Sequence, residues 1–273
     1  MGILVANGCS FTYGDEMKGS RNPEGFHCDT HHHATYVAKL AELMGVPYKN
    51  LAMNGSSNEK IFRRTMHFIQ TTKKDIDLLV VQWSSLGRFE IVEEQDWEHD
   101  VWVQKECNAN QVHLGIKMGS VETGPRFVWE IGNKNPRNLI LKHFSEEVLT
   151  VSTMVLKTLS YMNIIQHVCD IMNIRVIQHH ANGVANSIVL RSMRNQHTPE
   201  YSKQIASYIK GLPRTSRIGL GKYETLWDLS NRKYGIYPCG HPKEEAHEDF
   251  AKLLYNVVIP DIPIKGKQGE LEA

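Results

Sequence analysis

Apolar runs and helical repeats alternate along the first eighty residues. "ILVANG" carries four consecutive apolar residues, Ile3 to Ala6, before polar Asn7 and Gly8, the pattern of a strand buried on both faces of a parallel sheet. "THHHATYVAKLAELMG" then spaces Val37, Leu40, Ala41 and Met44 at helical intervals, and Gly45 ends it. "YKNLAMNG" predicts a second strand and loop. "SSNEKIFRRTMHFIQTT" predicts a helix with Ile61, Phe62, Met66 and Ile69 on its apolar side, with Ser56 and Glu59 as a capping box, and "IDLLVVQWSS" a third buried strand. From about Arg88 to His143 the pattern changes to a polar and aromatic stretch whose alternation, as in "VWVQ" and "RFVWEIG", predicts hairpins inserted as a lid. A helix from about Glu146 to Met172 and the strand "IRVIQHHA" restore the earlier order. Arg191 to Lys222 is basic and resists assignment. "ETLWDLS" reads as a last strand, followed by a loop and a helix with Ala246, Phe250, Leu253 and Leu254 on one side. The expected organisation is one α/β domain over residues 1–260, with the insertion at about 88–143 and a disordered tail at 261–273.

Charge narrows the choice of partners. Lys and Arg number 31 against 30 Asp and Glu, so no concentrated positive charge points to nucleic acid. The five cysteines are scattered, without a CxxC pair, which fits reduced thiols and a cytoplasmic protein. The longest apolar segment, "VLTVSTMVLKTLSYMNIIQHVCDIM", is broken by Lys157, Asn163, Gln166 and His167 and reads as a core-facing helix, with no membrane partner expected. Nothing in the chain calls for a cofactor, and the oligomeric state is not legible.

Three loops at strand ends carry the candidate chemistry. Ser10 follows the first strand, Gly55 in "NLAMNGSSNE" the second, and His241 in "CGHPKEEAH" the last. A serine attacks only when a base takes its proton and donors stabilise the oxyanion that forms. In an open α/β sheet these loops share one rim, where ligands sit.

"GCSFTYGD", "NLAMNGSSN" and "GHPKEEAHEDFA" together resemble the SGNH (GDSL-type) hydrolases, in a branch whose serine motif is Gly-Cys-Ser-Phe. The motifs run from Gly8 to Ala251. The resemblance implies a flavodoxin-like three-layer α/β/α sandwich. It implies Ser10 as nucleophile, His241 as base, the backbone N–H groups of Ser10 and Gly55 as oxyanion donors, and a small ester as substrate, a carbohydrate O-acetyl group being one case. The chain departs from the family twice. "QWSSLGRFE" lacks the usual donor Asn, for which Asn58, Ser84 or Ser85 could substitute. Pro238 stands where the family has the Asp that orients the histidine, a role that Asp228 or a backbone carbonyl could take.

The other features each have a plainer reading beside the functional one. Arg88 could bind a substrate anion or pair with Glu90 or Asp15. His179 and His180, at a strand end, could contact substrate or be ordinary rim residues, and His247 reads as a packing or capping partner. Trp97, Trp102, Phe127 and Trp129 could cover a ligand or form the insertion's own core. The run from His27 to His33 has zinc-ligand residue types but no second half with matching spacing. It leaves a metal-dependent hydrolase as a second alternative, after a catalytically degenerate binding module that keeps the pocket.

Overall fold

The computed structural model describes residues 2–14, 17, 33–86, 88–89, 112–113, 115–117, 126–128, 151–182, 199–213, 216, 224–238 and 240–261. Strand β1 (Ile3–Asn7) leads into the short helix α1 (Ser10–Tyr13), then α2 (Tyr36–Met44), β2 (Tyr48–Asn50), α3 (Asn58–Thr71) and β3 (Ile76–Trp83). Four short strands follow, β4 (Arg88–Phe89), β5 (Val112–His113), β6 (Gly115–Lys117) and β7 (Arg126–Val128). The chain continues through α4 (Val151–Ile171), β8 (Arg175–His180), α5 (Pro199–Gly211), α6 (Leu226–Lys233) and α7 (Glu244–Leu253).

The central sheet is parallel, in the order β2-β1-β3-β8. Successive side chains of a strand point to opposite faces, and the sequence uses both. Leu4, Ala6, Leu78, Val80 and Ile177 pack against α2, α6 and α7. Val5, Leu79, Val81, Trp83 and Val176 pack against α3, α4 and α5. The result is a three-layer α/β/α sandwich, in which each fully buried aliphatic side chain contributes about 2 kcal/mol. A buried polar link crosses the second face: Trp83 Nε1 donates to Gln178 Oε1 at 3.1 Å, and Gln178 Nε2 donates to the Met162 carbonyl at 2.9 Å.

Most predicted elements form where the pattern puts them, and Gly45 ends α2 with φ +67°, its N–H returning to the carbonyls of Ala41 and Glu42. Three assignments are corrected. "ETLWDLS" is the start of helix α6, because Thr225 caps it by accepting from the Asp228 N–H, and Leu226 and Leu229 sit at helical spacing. The unassigned basic stretch holds α5, which starts at Pro199, buries Ile205 and Ile209 and closes on Gly211. The cap of α3 is Ser57, whose side chain accepts from the Lys60 N–H, and not Ser56, whose Oγ donates to the Met53 carbonyl. Within the insertion, β4 pairs with β5 and β6 with β7, both antiparallel; its service as a lid, its aromatic side chains and the tail at 261–273, save the backbone of Asp261, lie outside the described residues. No helix among the described residues is long and apolar enough to cross a membrane.

Candidate active site

The carboxyl end of β1 is shaped by close packing. A Cβ on Gly8 would lie 2.4 Å from Thr12 Oγ1 and 2.9 Å from Gln82 Cβ, so only glycine lets the chain turn there against β3. Asn7 fixes the turn from below: its Nδ2 donates to the Ile61 carbonyl and to Thr65 Oγ1, each at 2.9 Å, and its Oδ1 accepts from the Gly8 N–H. Cys9 is the extended N-cap of α1, and its thiol donates to Gln82 Oε1 at 3.3 Å. Ser10, 3% exposed, is the first residue of that helix. The first N–H groups of a helix have no intrahelical acceptor, and the Ser10 amide is among them.

The loop after β2 is hooked onto the same end. Leu51 N–H donates to the Ala6 carbonyl and Met53 N–H to the Gly8 carbonyl, while Asn50 Nδ2 donates to the Thr12 carbonyl at 2.8 Å. The chain then turns through Asn54 and Gly55, which has φ +70°, a conformation that glycine adopts without strain.

His241 sits in a tight loop held on both sides. Its carbonyl accepts from Tyr237 N–H and the Tyr237 carbonyl from Gly240 N–H, Gly240 lying at φ +85°. Helix α6 grips the loop: Trp227 Nε1 donates to the Gly240 carbonyl at 3.0 Å, and Ser230 Oγ donates to the Gly235 carbonyl while accepting from Lys243 N–H. The His241 ring, half-buried, packs edge-on against Phe11 with centroids 5.3 Å apart. It therefore borders the residue next to Ser10.

The remaining predicted residues fall in separate places. Asp228 lies in the first turn of α6, where its carboxylate accepts from Thr225 Oγ1 at 2.6 Å. Asn58 is buried: its Oδ1 accepts from Ser84 N–H at 2.8 Å and its Nδ2 donates to Thr158 Oγ1 at 3.1 Å, tying the start of α3 to the end of β3 and to the body of α4. Ser85 follows directly, half-buried. Arg88 is in β4, its side chain outside the described residues, as is the His27 to His33 run apart from exposed His33. Among the described residues no group of three or more His, Cys, Asp or Glu side chains converges as a metal site would.

His179 and His180 end β8, both fully buried and facing opposite sides of the sheet. Burial holds His179 down to about 3 and His180 to about 4, so both are neutral near pH 7. Among the described residues neither ring nitrogen of His180 has a hydrogen-bond partner. His179 does: its Nε2 meets the Tyr36 hydroxyl at 3.2 Å, and that hydroxyl meets Thr12 Oγ1 at 3.0 Å. Sequence reasoning missed Asn7, Thr12, Tyr36 and Asn50. Asn7 is the visible signal, a polar residue closing a strand that is otherwise apolar, whereas Asn50 ends the short, mixed strand Tyr48–Asn50.

No family model matches the chain, and no curated protein matches its sequence. Solved structures with a similar course of the chain include a member of the lipolytic protein G-D-S-L family from Veillonella parvula, 12% identical, covering 94% of this chain and 98% of that one at a TM-score of 0.43. A catalytic mutant of an acetylxylan esterase from Geobacillus stearothermophilus is 10% identical, covering 95% and 93% at a TM-score of 0.41. An acetyl xylan esterase from Butyrivibrio proteoclasticus is 11% identical over 95% of this chain and 64% of its own, at a TM-score of 0.45.

Proposed function

We propose that the chain is a serine hydrolase of the SGNH type that cleaves a small ester through an acyl-serine intermediate. His241 takes the proton of Ser10 as its Oγ attacks the ester carbonyl, and the N–H groups of Ser10 and Gly55 hold the oxyanion. Collapse of the tetrahedral intermediate expels the alcohol, which leaves with the proton from His241. Water, deprotonated by the same ring, then attacks the acyl-serine and frees the acid and the enzyme. A carbohydrate O-acetyl ester is the first substrate class to assay.

One observation carries this reading: the His241 ring rests on Phe11, beside Ser10, in a loop fixed by α6. The test is hydrolysis of short-chain p-nitrophenyl esters and of acetylated oligosaccharides by the wild type and Ser10→Ala. Turnover that falls at least a thousand-fold in the variant supports the reading, on the scale at which a lost nucleophile acts; turnover unchanged in Ser10→Ala contradicts it.

The Asp228 carboxylate, held at the start of its own helix by Thr225, favours a second reading. A binding module that keeps the pocket without turnover needs no orienter for its histidine. It predicts oligosaccharide binding that survives Ser10→Ala, with no hydrolysis by the wild type.

A further inference from the structure

The Tyr36 hydroxyl lies in a buried chain of hydrogen bonds whose direction is set at one end. His179 Nδ1 meets the His180 carbonyl at 3.3 Å. A carbonyl only accepts, so Nδ1 carries the proton and Nε2 is bare. Nε2 then accepts from the Tyr36 hydroxyl at 3.2 Å, which leaves the Tyr36 oxygen to accept from Thr12 Oγ1 at 3.0 Å. Thr12, Tyr36 and His179 are each fully buried. The depressed proton affinity of His179 keeps this polarity fixed around neutrality.

The same residue reaches the other half of the candidate site. Tyr36 N–H donates to His247 Nδ1 at 3.1 Å, its ring stacks on His247 at 6.0 Å, and it packs edge-on against Phe250 at 5.3 Å. His247 and Phe250 belong to α7, the helix that His241 precedes. Thr12 belongs to α1, the helix that Ser10 begins. One side chain at the start of α2 thus touches both the turn of the serine and the helix behind the histidine.

We infer that Tyr36 is a positioning residue: through Thr12 on one side and His247 on the other, it sets where Ser10 stands relative to His241. The inference rests on the serine-hydrolase reading for its effect on reactivity, whereas the hold on α1 is independent of that reading. Losing the hydroxyl strands two buried groups, Thr12 Oγ1 and His179 Nε2, and frees α1 to shift. Misplacement of a reacting group by a fraction of an ångström slows reaction without touching the reacting atoms.

The test compares the wild type with Tyr36→Phe, Thr12→Val and the double variant. Two quantities are read: the rate constant of labelling by a fluorophosphonate, and amide hydrogen exchange of the peptide spanning α1. Gln178→Leu, which breaks the buried link on the opposite face of the sheet, is the control for general destabilisation. Each single variant is expected to label roughly ten-fold slower and to exchange faster across α1. The double variant should be no slower than either single, since both cut the same chain, while Gln178→Leu labels at the wild-type rate. Wild-type exchange across α1 in Tyr36→Phe overturns the inference, as do rate losses that multiply in the double variant or an equal loss in Gln178→Leu. A wild type that is not labelled at all removes the serine-hydrolase reading, and exchange then decides alone whether Tyr36 holds α1.

Discussion

Two small residues at the end of β1 decide whether the serine turn can exist. Gly8→Ala drives a methyl group into Thr12 and Gln82, and because Gln82 sits in the central sheet the turn must yield instead. The expected outcome is a folded protein that labels poorly at Ser10, read by circular dichroism and labelling rate together; a variant that labels normally would show that the turn relaxes freely. Asn7→Ala removes the acceptor of Gly8 N–H and both bonds to α3, a loss of about 2 kcal/mol, measurable as a lower urea midpoint. At this scale the sequence exposes residues whose role is local. Ser10, Gly55 and His241 stand out because each follows a turn signal. Asn58 is ambiguous in the sequence because its partners, Ser84 and Thr158, are 26 and 100 residues away, and the hydroxyl partners of Tyr36, Thr12 and His179, are likewise 24 and 143 residues away.

The elements were legible wherever a single period dominated. The apolar runs Ile3 to Ala6 in β1 and Leu78 to Val81 in β3 and the helical repeats of α2 and α3 are clear, so pattern alone places these elements. "ETLWDLS" misled because Leu226, Trp227 and Leu229 fit a buried strand as readily as a short helix; the deciding signal was Thr225 with Asp228 three residues later, a capping pair. Its weight can be measured. Thr225→Ala should cost about 1 kcal/mol and loosen the His241 loop that Trp227 and Ser230 hold, seen as faster hydrogen exchange across residues 237–243. Unchanged exchange there would mean that the loop is held without the first turn of α6.

For the molecule as a whole, the end of β8 sets a response to acid. His179 and His180 titrate near 3 and 4 in the folded chain against 6.5 for a free histidine. Well above pH 6.5 both are neutral in either state and add no pH dependence. As the pH falls below that, the unfolded chain binds protons that the folded chain refuses, so stability declines until the folded groups titrate. Between pH 6 and pH 5 the pair should remove about 2 kcal/mol, and His180→Phe should remove about half of that dependence. Urea titrations at the two pH values check it; a wild-type midpoint that does not move would contradict the burial of these rings. The parallel sheet and its two helical layers follow from the sequence because burial is cooperative over many residues. The distance between a serine near the start of the chain and a histidine near its end depends on a few buried polar contacts, and no periodicity records those.

The most direct test of the central claim is the intact mass of the protein after exposure to a fluorophosphonate. A single adduct is expected on the wild type, none on Ser10→Ala, and much slower labelling of His241→Ala. A wild type that gains no mass, or an adduct that persists in Ser10→Ala, would contradict it.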